Sequence, residues 1–404
     1  AMALAVVRRR NPVQTPHRFR ADTERGIDRC TFLKSAVTGA TLALAPAALW
    51  NGLNLAQASP ENLEGVLEPI RRTHDVPALA GAFVRGRELV ALGAVGVRQA
   101  RGMERVQSID RFHIGSNTKS MTATLIAMLV EQGRMSWEMT IADAFPDLVS
   151  RIHRGFHRAT LVQLLSHRSG LPGDPANPEI WRQVWDLAGP PLQQRRSLVE
   201  LVLAQPPVAQ PGARMAYSNY NYAIAGAMAE QATGQAWEDM MRQMLFGPLG
   251  MTIAGFGSPG LAQPWGHTPA GCQPVTPGPQ ADNPPVIGPA GAVHCSMSDW
   301  AAYASLHLRG AQGESGLLLK QESFQQLHGD GFRQEYAMGW AVVQRPWAGG
   351  MALFHGGSNT MWFAVIWIAP ARNAAMMAAT NCGSQDGFQA CDAAVGAMFG
   401  RFVP

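Results

Sequence analysis

Apolar residues recur at helical spacing early in the chain and in strand-like runs towards both ends. Ser59-Pro60-Glu61 reads as a helix start: a cap residue, a proline in the first turn, then an acid. Leu63, Val66, Leu67 and Ile70 follow on one helical face. Residues 81–97, GAFVRGRELVALGAVGV, are β-branched or small around Gly86-Arg87 and predict a hairpin. Residues 116–132 predict a helix with Met121, Leu125, Met128 and Leu129 as one apolar stripe, ended by Gly133. From 138 to 270 the pattern is of several helices joined by Pro- and Gly-rich loops. The composition near 187–196 marks an exposed loop, and residues 262–290 show neither helix nor strand. Ser298-Asp299 caps a helix running to about Leu308. Short strands follow at 336–343, 351–357, 362–369 and 375–381, then a helix over 387–399. No internal repeat emerges. Strands, a helical middle, strands and a last helix describe a sheet domain interrupted by a helical one.

The 404 residues are 47% hydrophobic and 15% charged, which excludes a disordered chain. The net charge of +4 raises nucleic-acid binding, which needs basic residues gathered on one face. They are gathered instead in residues 1–58, where eight cations face three anions; the rest of the chain carries one more anion than cation. No nucleic-acid partner is therefore expected. The same segment has no charge between Ser35 and Pro60 and ends in Ala56-Gln57-Ala58. A basic region, an apolar region and a small-residue cleavage site predict an export leader and a periplasmic or secreted protein. Arg29-Cys30-Thr31-Phe32-Leu33-Lys34 resembles the twin-arginine motif, with Cys30 where the second Arg belongs. The alternative is an N-terminal helix packed on the body. Pro46, Asn51, Asn54 and Gln57 make it a poor membrane span. Of the five cysteines, Cys272, Cys295, Cys382 and Cys391 lie beyond the leader, free to pair in an exported protein. No C-x-x-C occurs, and no metal or cofactor is expected. His153 and His157, four apart, could pair on a metal, but no H-E-x-x-H surrounds them.

Of 33 cations only Lys34, Lys119 and Lys320 are lysine. Arginine keeps its proton in a protein, whereas a desolvated lysine can lose it. Lys119 stands three residues after Ser116, on one face of a helix start. Amine and hydroxyl in reach of each other make an activated nucleophile. A capping serine and a solvated lysine are the plain alternative. Tyr217-Ser218-Asn219 lies 101 residues after Ser116, and His355-Gly356-Gly357-Ser358 another 138 on.

Ser-x-x-Lys, Tyr-x-Asn and basic-x-Gly in that order resemble the signature of the β-lactamase-related serine hydrolases: class C β-lactamases, D-stereospecific peptidases and family VIII carboxylesterases. Leu164-Leu165-Ser166-His167-Arg168-Ser169-Gly170-Leu171-Pro172 and Pro211-Gly212 extend the resemblance over about residues 62–400. It implies an α+β sandwich of the β-lactamase/transpeptidase-like type, an antiparallel sheet flanked by helices with an inserted all-α domain. The divisions expected are 1–58 as leader, 59–115 plus 287–404 as sheet domain, and 116–286 as helical domain. It implies Ser116 as nucleophile, Lys119 as the amine assisting its deprotonation and Tyr217 as second acid/base. Asn219 would orient Lys119 and bind substrate, and the N–H groups of Ser116 and Ser358 would form the oxyanion hole. Gly357 would let the strand lie close to the substrate, with His355 beside it. The β-lactamases usually carry Lys-Thr-Gly where this chain has His355-Gly356-Gly357. A neutral imidazole holds a carboxylate less well than a charged lysine. Trp362 and Trp340 suggest an apolar wall, or else inter-strand core. A carboxylesterase acting on small esters, with weak β-lactam hydrolysis, is expected. The alternatives are a D-stereospecific peptidase or amidase, a class C-like β-lactamase, and a non-catalytic penicillin-binding-type receptor. The partner expected is a small-molecule ester, amide or β-lactam.

Overall fold

A computed structural model describes residues 59–173, 178–329 and 336–403. The expected leader lies outside the described residues. In chain order the strands are β1 (Glu61–Asn62), β2 (Ala78–Arg85), β3 (Glu88–Gly96), β4 (Phe112–His113), β5 (Gly255–Phe256), β6 (Gly266–His267), β7 (Pro274–Val275), β8 (Val293–Cys295), β9 (Ala341–Arg345), β10 (Gly350–Ser358), β11 (Phe363–Ala369) and β12 (Ala374–Thr380). The main sheet runs β1-β3-β2-β12-β11-β10-β9, so the first and last thirds of the chain meet at β2 and β12. In this sheet β1 pairs parallel with β3, and every other neighbouring pair is antiparallel. A small sheet, β4-β8-β5, stands beside it. This is the mixed α+β architecture that the resemblance implied.

Both faces of the central strands are covered. On β2, Leu79 and Phe83 face a core shared with the helices Glu64–Thr73 and Gln385–Phe402. Ala78, Ala80, Ala82 and Val84 face the other core, against the helix Met297–Ala311. A doubly covered strand buries every residue, which is why β2 and β12 read as unbroken apolar runs rather than alternating ones.

Several elements depart from the expectations. The stretch Glu61–Asn62 is strand, not helix, and the Asn62 side chain caps the helix that follows by accepting from Glu64 N at 2.7 Å. The cap before Met297–Ala311 is Ser296, whose Oγ accepts from Asp299 N at 3.1 Å. Tyr336 precedes its strand, which begins at Ala341. The expected exposed loop near 187–196 is confined to residues 187–190: Pro191–Leu203 is a helix and Arg195 is 0% exposed. Two prolines and two arginines disguised it, but proline fits a first helical turn. Arg195 is held by Glu230 (2.5 Å) and Glu238 (2.8 Å), and Glu230 also accepts from Trp237 N at 2.9 Å.

The helix Thr118–Glu131 is buried all round, from Thr118 to Leu129, not along one stripe. Its hydroxyls make this tolerable by bonding inward. Ser120 donates to Asn117 O, Thr122 to Pro289 O and Thr124 to Ser120 O, at 2.9, 2.7 and 2.9 Å. Behind it, Thr124 Oγ1 lies 3.0 Å from His307 Nε2, and His307 Nδ1 lies 2.8 Å from His328 Nε2. Burial pushes both imidazoles down, His328 to about 3, and at His307 the neighbouring His328 lowers it further.

Two consequences follow for stability. Arg195→Met would leave the buried Glu230 and the part-buried Glu238 without their cation, and should cost roughly 3–5 kcal/mol in urea unfolding; a loss below about 1 kcal/mol would show that the ion cluster is not needed. The His307–His328 pair sets a pH slope. Its folded values lie below the unfolded one of about 6.5, so its contribution is complete above that pH and is lost as pH falls towards 3. Asp299, raised by burial to about 6, runs the opposite way below that pH. Melting temperatures between pH 7 and 4 should fall less steeply in His328→Gln than in the parent; equal slopes would refute the assignment.

Candidate active site

The chain leaves β4 at His113 and turns through a single 3₁₀ turn, Gly115–Asn117, into the helix Thr118–Glu131. Ser116 sits in that turn, partly exposed. Lys119 is 0% exposed. Its Nζ lies 2.9 Å from Ser116 Oγ, 2.7 Å from Asn219 Oδ1 and 2.8 Å from Ala290 O. Asn219 opens the helix Asn219–Thr233, and Ala290 belongs to the short helix Gly288–Gly291. Two of the three neighbours are carbonyl oxygens that can only accept. Were Lys119 to lose its proton, two N–H groups given to those carbonyls would leave a lone pair for the Ser116 hydroxyl. The arrangement can take the proton of Ser116. Tyr217, also partly exposed, completes the group: Nζ stands 4.8 Å from its ring centroid.

Two glycines bring β10 against the Ser116 turn. A Cβ on Gly357 would stand 2.1 Å from Ile114 O and 2.8 Å from Ser116 N. A Cβ on Gly115, at φ +52°, would stand 2.4 Å from Ser358 N. Only glycine permits this approach, and it sets the backbone of Ser116 beside that of Ser358. The structure thus gathers Ser116, Lys119, Tyr217, Asn219, Gly357 and Ser358 in one place.

His355 and Trp362 are placed differently. The His355 ring is buried; Nδ1 lies 2.8 Å from Gly356 O, to which it must donate, so Nε2 accepts from Tyr336 Oη at 3.1 Å. Burial, then the charge of Lys119, pushes its pKa down to about 3. The ring is therefore neutral and turned inward, not offered to a substrate. Trp362 is 1% exposed and packs edge-on to Phe112 at 5.8 Å, and Trp340 stacks near Tyr303 at 6.4 Å. Both belong to the core rather than to a wall: each stands just before its strand, buried in the main hydrophobic cluster.

Further groups near the site had no role assigned to them from the sequence. His167 holds a left-handed conformation (φ 58°) and its ring lies 4.4, 5.3 and 4.9 Å from those of Tyr217, Tyr222 and Tyr336. Ser218 N donates to its Nδ1 at 3.3 Å, and burial with the charge of Lys119 holds it neutral. The signal available was compositional: the chain has five tyrosines against fifteen phenylalanines, and three of the five meet here. Ala290 contributes a backbone oxygen, which no residue type announces. Among the described residues no group of three or more His, Cys, Asp or Glu is placed to hold a metal. His153 accepts from Gly155 N, and His157 lies 3.2 Å from Ile152 O, each tied to its own turn. No helix of the described residues is long and apolar enough to cross a membrane.

Penicillin-binding protein 4 of Amycolatopsis lactamdurans is 27% identical over 344 residues, covering 80% of this chain and 85% of that protein. Among solved structures, the D-alanine carboxypeptidase AmpC from Burkholderia cenocepacia superposes with a TM-score of 0.64 at 18% identity, over 83% of this chain and 97% of that one. A D-stereospecific amidohydrolase from Streptomyces sp. superposes with a TM-score of 0.62 at 22% identity, over 81% and 96%. These two likenesses show the fold. The family model described as Beta-lactamase matches residues 63–396, nearly the whole of the described chain. The chain belongs to the beta-lactamase family of serine hydrolases.

Proposed function

We propose that this protein is a carboxylesterase that hydrolyses small neutral esters through an acyl-enzyme on Ser116. The observation that carries the catalytic part is the Lys119 amine, held by Asn219 and Ala290 with its third direction on Ser116 Oγ. Lys119 takes the hydroxyl proton as Oγ attacks the ester carbonyl. The carbonyl oxygen becomes an oxyanion between the N–H groups of Ser116 and Ser358. Tyr217 hands a proton to the departing alcohol and then withdraws one from the water that releases the acid.

The preference for neutral substrates rests on His355. A dedicated β-lactam or C-terminal peptide site needs a cation for the substrate carboxylate. Here that position is a neutral imidazole with both nitrogens engaged inside the protein. A charge-assisted bond is about twice as strong as a neutral one, so its loss weighs against carboxylate-bearing substrates. The second reading is a D-stereospecific amidase or peptidase, the activity named for the Streptomyces protein of the same fold. It shares the Ser116 acyl-enzyme and differs in the leaving group. Export remains part of the proposal: the Cys272–Cys382 disulfide suits an oxidising compartment.

The test is a substrate panel. Short p-nitrophenyl esters should give a higher kcat/KM than nitrocefin or D-alanyl peptides, and the reverse order would overturn the ester preference. Ser116→Ala should lose roughly 10⁴-fold or more in kcat on every substrate. A fluorophosphonate should add to Ser116 by mass spectrometry; folded protein with Ser116 unlabelled would end the acyl-enzyme reading. A stoichiometric burst without turnover would point to a receptor instead.

A further inference from the structure

The Pro-rich stretch ending in the helix Gly288–Gly291 carries one buried carboxylate. Asp282 is 8% exposed, and its Oδ1 touches two segments at once. It lies 2.8 Å from His113 Nε2 and accepts from Asn359 Nδ2 at 3.1 Å. The first contact is electrostatic, since its angle is not that of a hydrogen bond. His113 in turn accepts at Nδ1 from Gly115 N at 3.1 Å, so its Nε2 edge faces the carboxylate. Asn359, which directly follows Ser358, accepts from Met361 N at 3.2 Å and so fixes its own turn. His113 lies in the small sheet and Ser358 in the large one. Asp282 therefore bridges the strand that leads into Ser116 and the turn that leads out of Ser358. Its neighbour acts in the same sense: Asn283 Nδ2 donates to Gly291 O at 3.1 Å, beside the Ala290 oxygen that holds Lys119.

We propose that Asp282 is a positioning residue for the oxyanion hole, setting the separation of the Ser116 and Ser358 N–H groups through His113 and Asn359. This rests on the reading of Ser116 as nucleophile. Ser116 sits in the 3₁₀ turn that follows the small sheet and Ser358 at the end of β10 in the large one, so the ladder of neither sheet by itself sets their spacing. Misplacing a reacting group by about 1 Å can cost 10²-fold in rate. The carboxylate also fits the charge of the place: it polarises the His113 ring and makes Nδ1 a better acceptor for Gly115 N–H. A cavity of about 480 Å³, lined in part by Phe256, Leu261, Pro279 and Asn283, opens on Asp282. A shortened side chain there meets open space rather than leaving a sealed void.

The experiment compares Asp282→Ala, Asn359→Ala and the double variant in the full chain with a short p-nitrophenyl ester, together with the rate of Ser116 labelling by a fluorophosphonate. Asp282→Ala should lower kcat and the labelling rate by roughly 10–100-fold with KM within about twofold. Asn359→Ala should do the same, and the double variant should be little worse than either single one, because both break one bridge. Asp282→Asn, which keeps the shape and the acceptor for Asn359, should recover part of the loss. Should Asp282→Ala fail to fold, Asn359→Ala and Asp282→Asn carry the same comparison. Parental kcat and labelling in folded Asp282→Ala or Asn359→Ala, with Ser116→Ala inactive, overturn the bridge alone; losses that simply multiply in the double variant overturn it as well. Activity retained in Ser116→Ala overturns the nucleophile reading instead.

Discussion

The costliest feature of this molecule is a lysine at 0% exposure, and much of the surrounding structure is organised around its partners. An amine taken out of water must be given back its hydrogen bonds. Lys119 recovers them from three places far apart in sequence: Ser116 in its own first turn, Asn219 at another helix start, and the Ala290 carbonyl. Each partner then has to be held. Gly226 lies so close to Pro289 that a Cβ there would stand 2.5 Å from the proline ring, which presses the helix Asn219–Thr233 against the segment carrying Ala290. Thr122 donates to Pro289 O from the helix that bears Lys119 itself. The three partners are thus tied to one another as well as to the amine, so that the geometry needed for proton transfer is the geometry that satisfies the buried nitrogen.

The sheet, the hairpin, the nucleophile helix and the C-terminal strands were legible because each carries a period or an unbroken apolar run. Helix ends were less so. The cap Asn62 and the cap Ser296 lie three and two residues from where spacing put them, since a cap is a local side-chain bond that neighbouring polar residues imitate equally well. The helix Pro191–Leu203 was misread because Arg195 belongs to a buried ion cluster, and burial of a charge is decided by Glu230 and Glu238, which are 35 and 43 residues away.

The site divides along the same line. Ser116, Lys119, Tyr217 and Asn219 were legible because their chemistry requires fixed residue types at fixed spacing. His355 and Trp362 were placed at the site by their position in a motif, and both turn inward. Motif position fixes which strand a residue occupies and not which group answers its side chain. For His355 the answer is Tyr336 on one side and its own neighbour's carbonyl on the other. That pair turns a neutral imidazole inward from β10.

The Pro-rich segment 262–290 shows most plainly what period cannot reveal. It contains almost no regular structure, yet its backbone is answered by other parts of the chain. Trp265 N donates to Arg98 O, His267 N to Met361 O, and Gly383 N to His267 O. His267 adds both ring nitrogens, at 2.6 Å from Asn381 O and 2.9 Å from Ala100 N. Cys272 is bonded to Cys382 just beyond β12. A segment fastened at that many points is a strap across the end of the sheet, and prolines suit a strap because they lack the N–H that would otherwise need a partner. Held in this way, the segment presents Asp282 and Asn283 from irregular backbone and the Ala290 oxygen from the short helix Gly288–Gly291, all beside the Ser116–Lys119 pair.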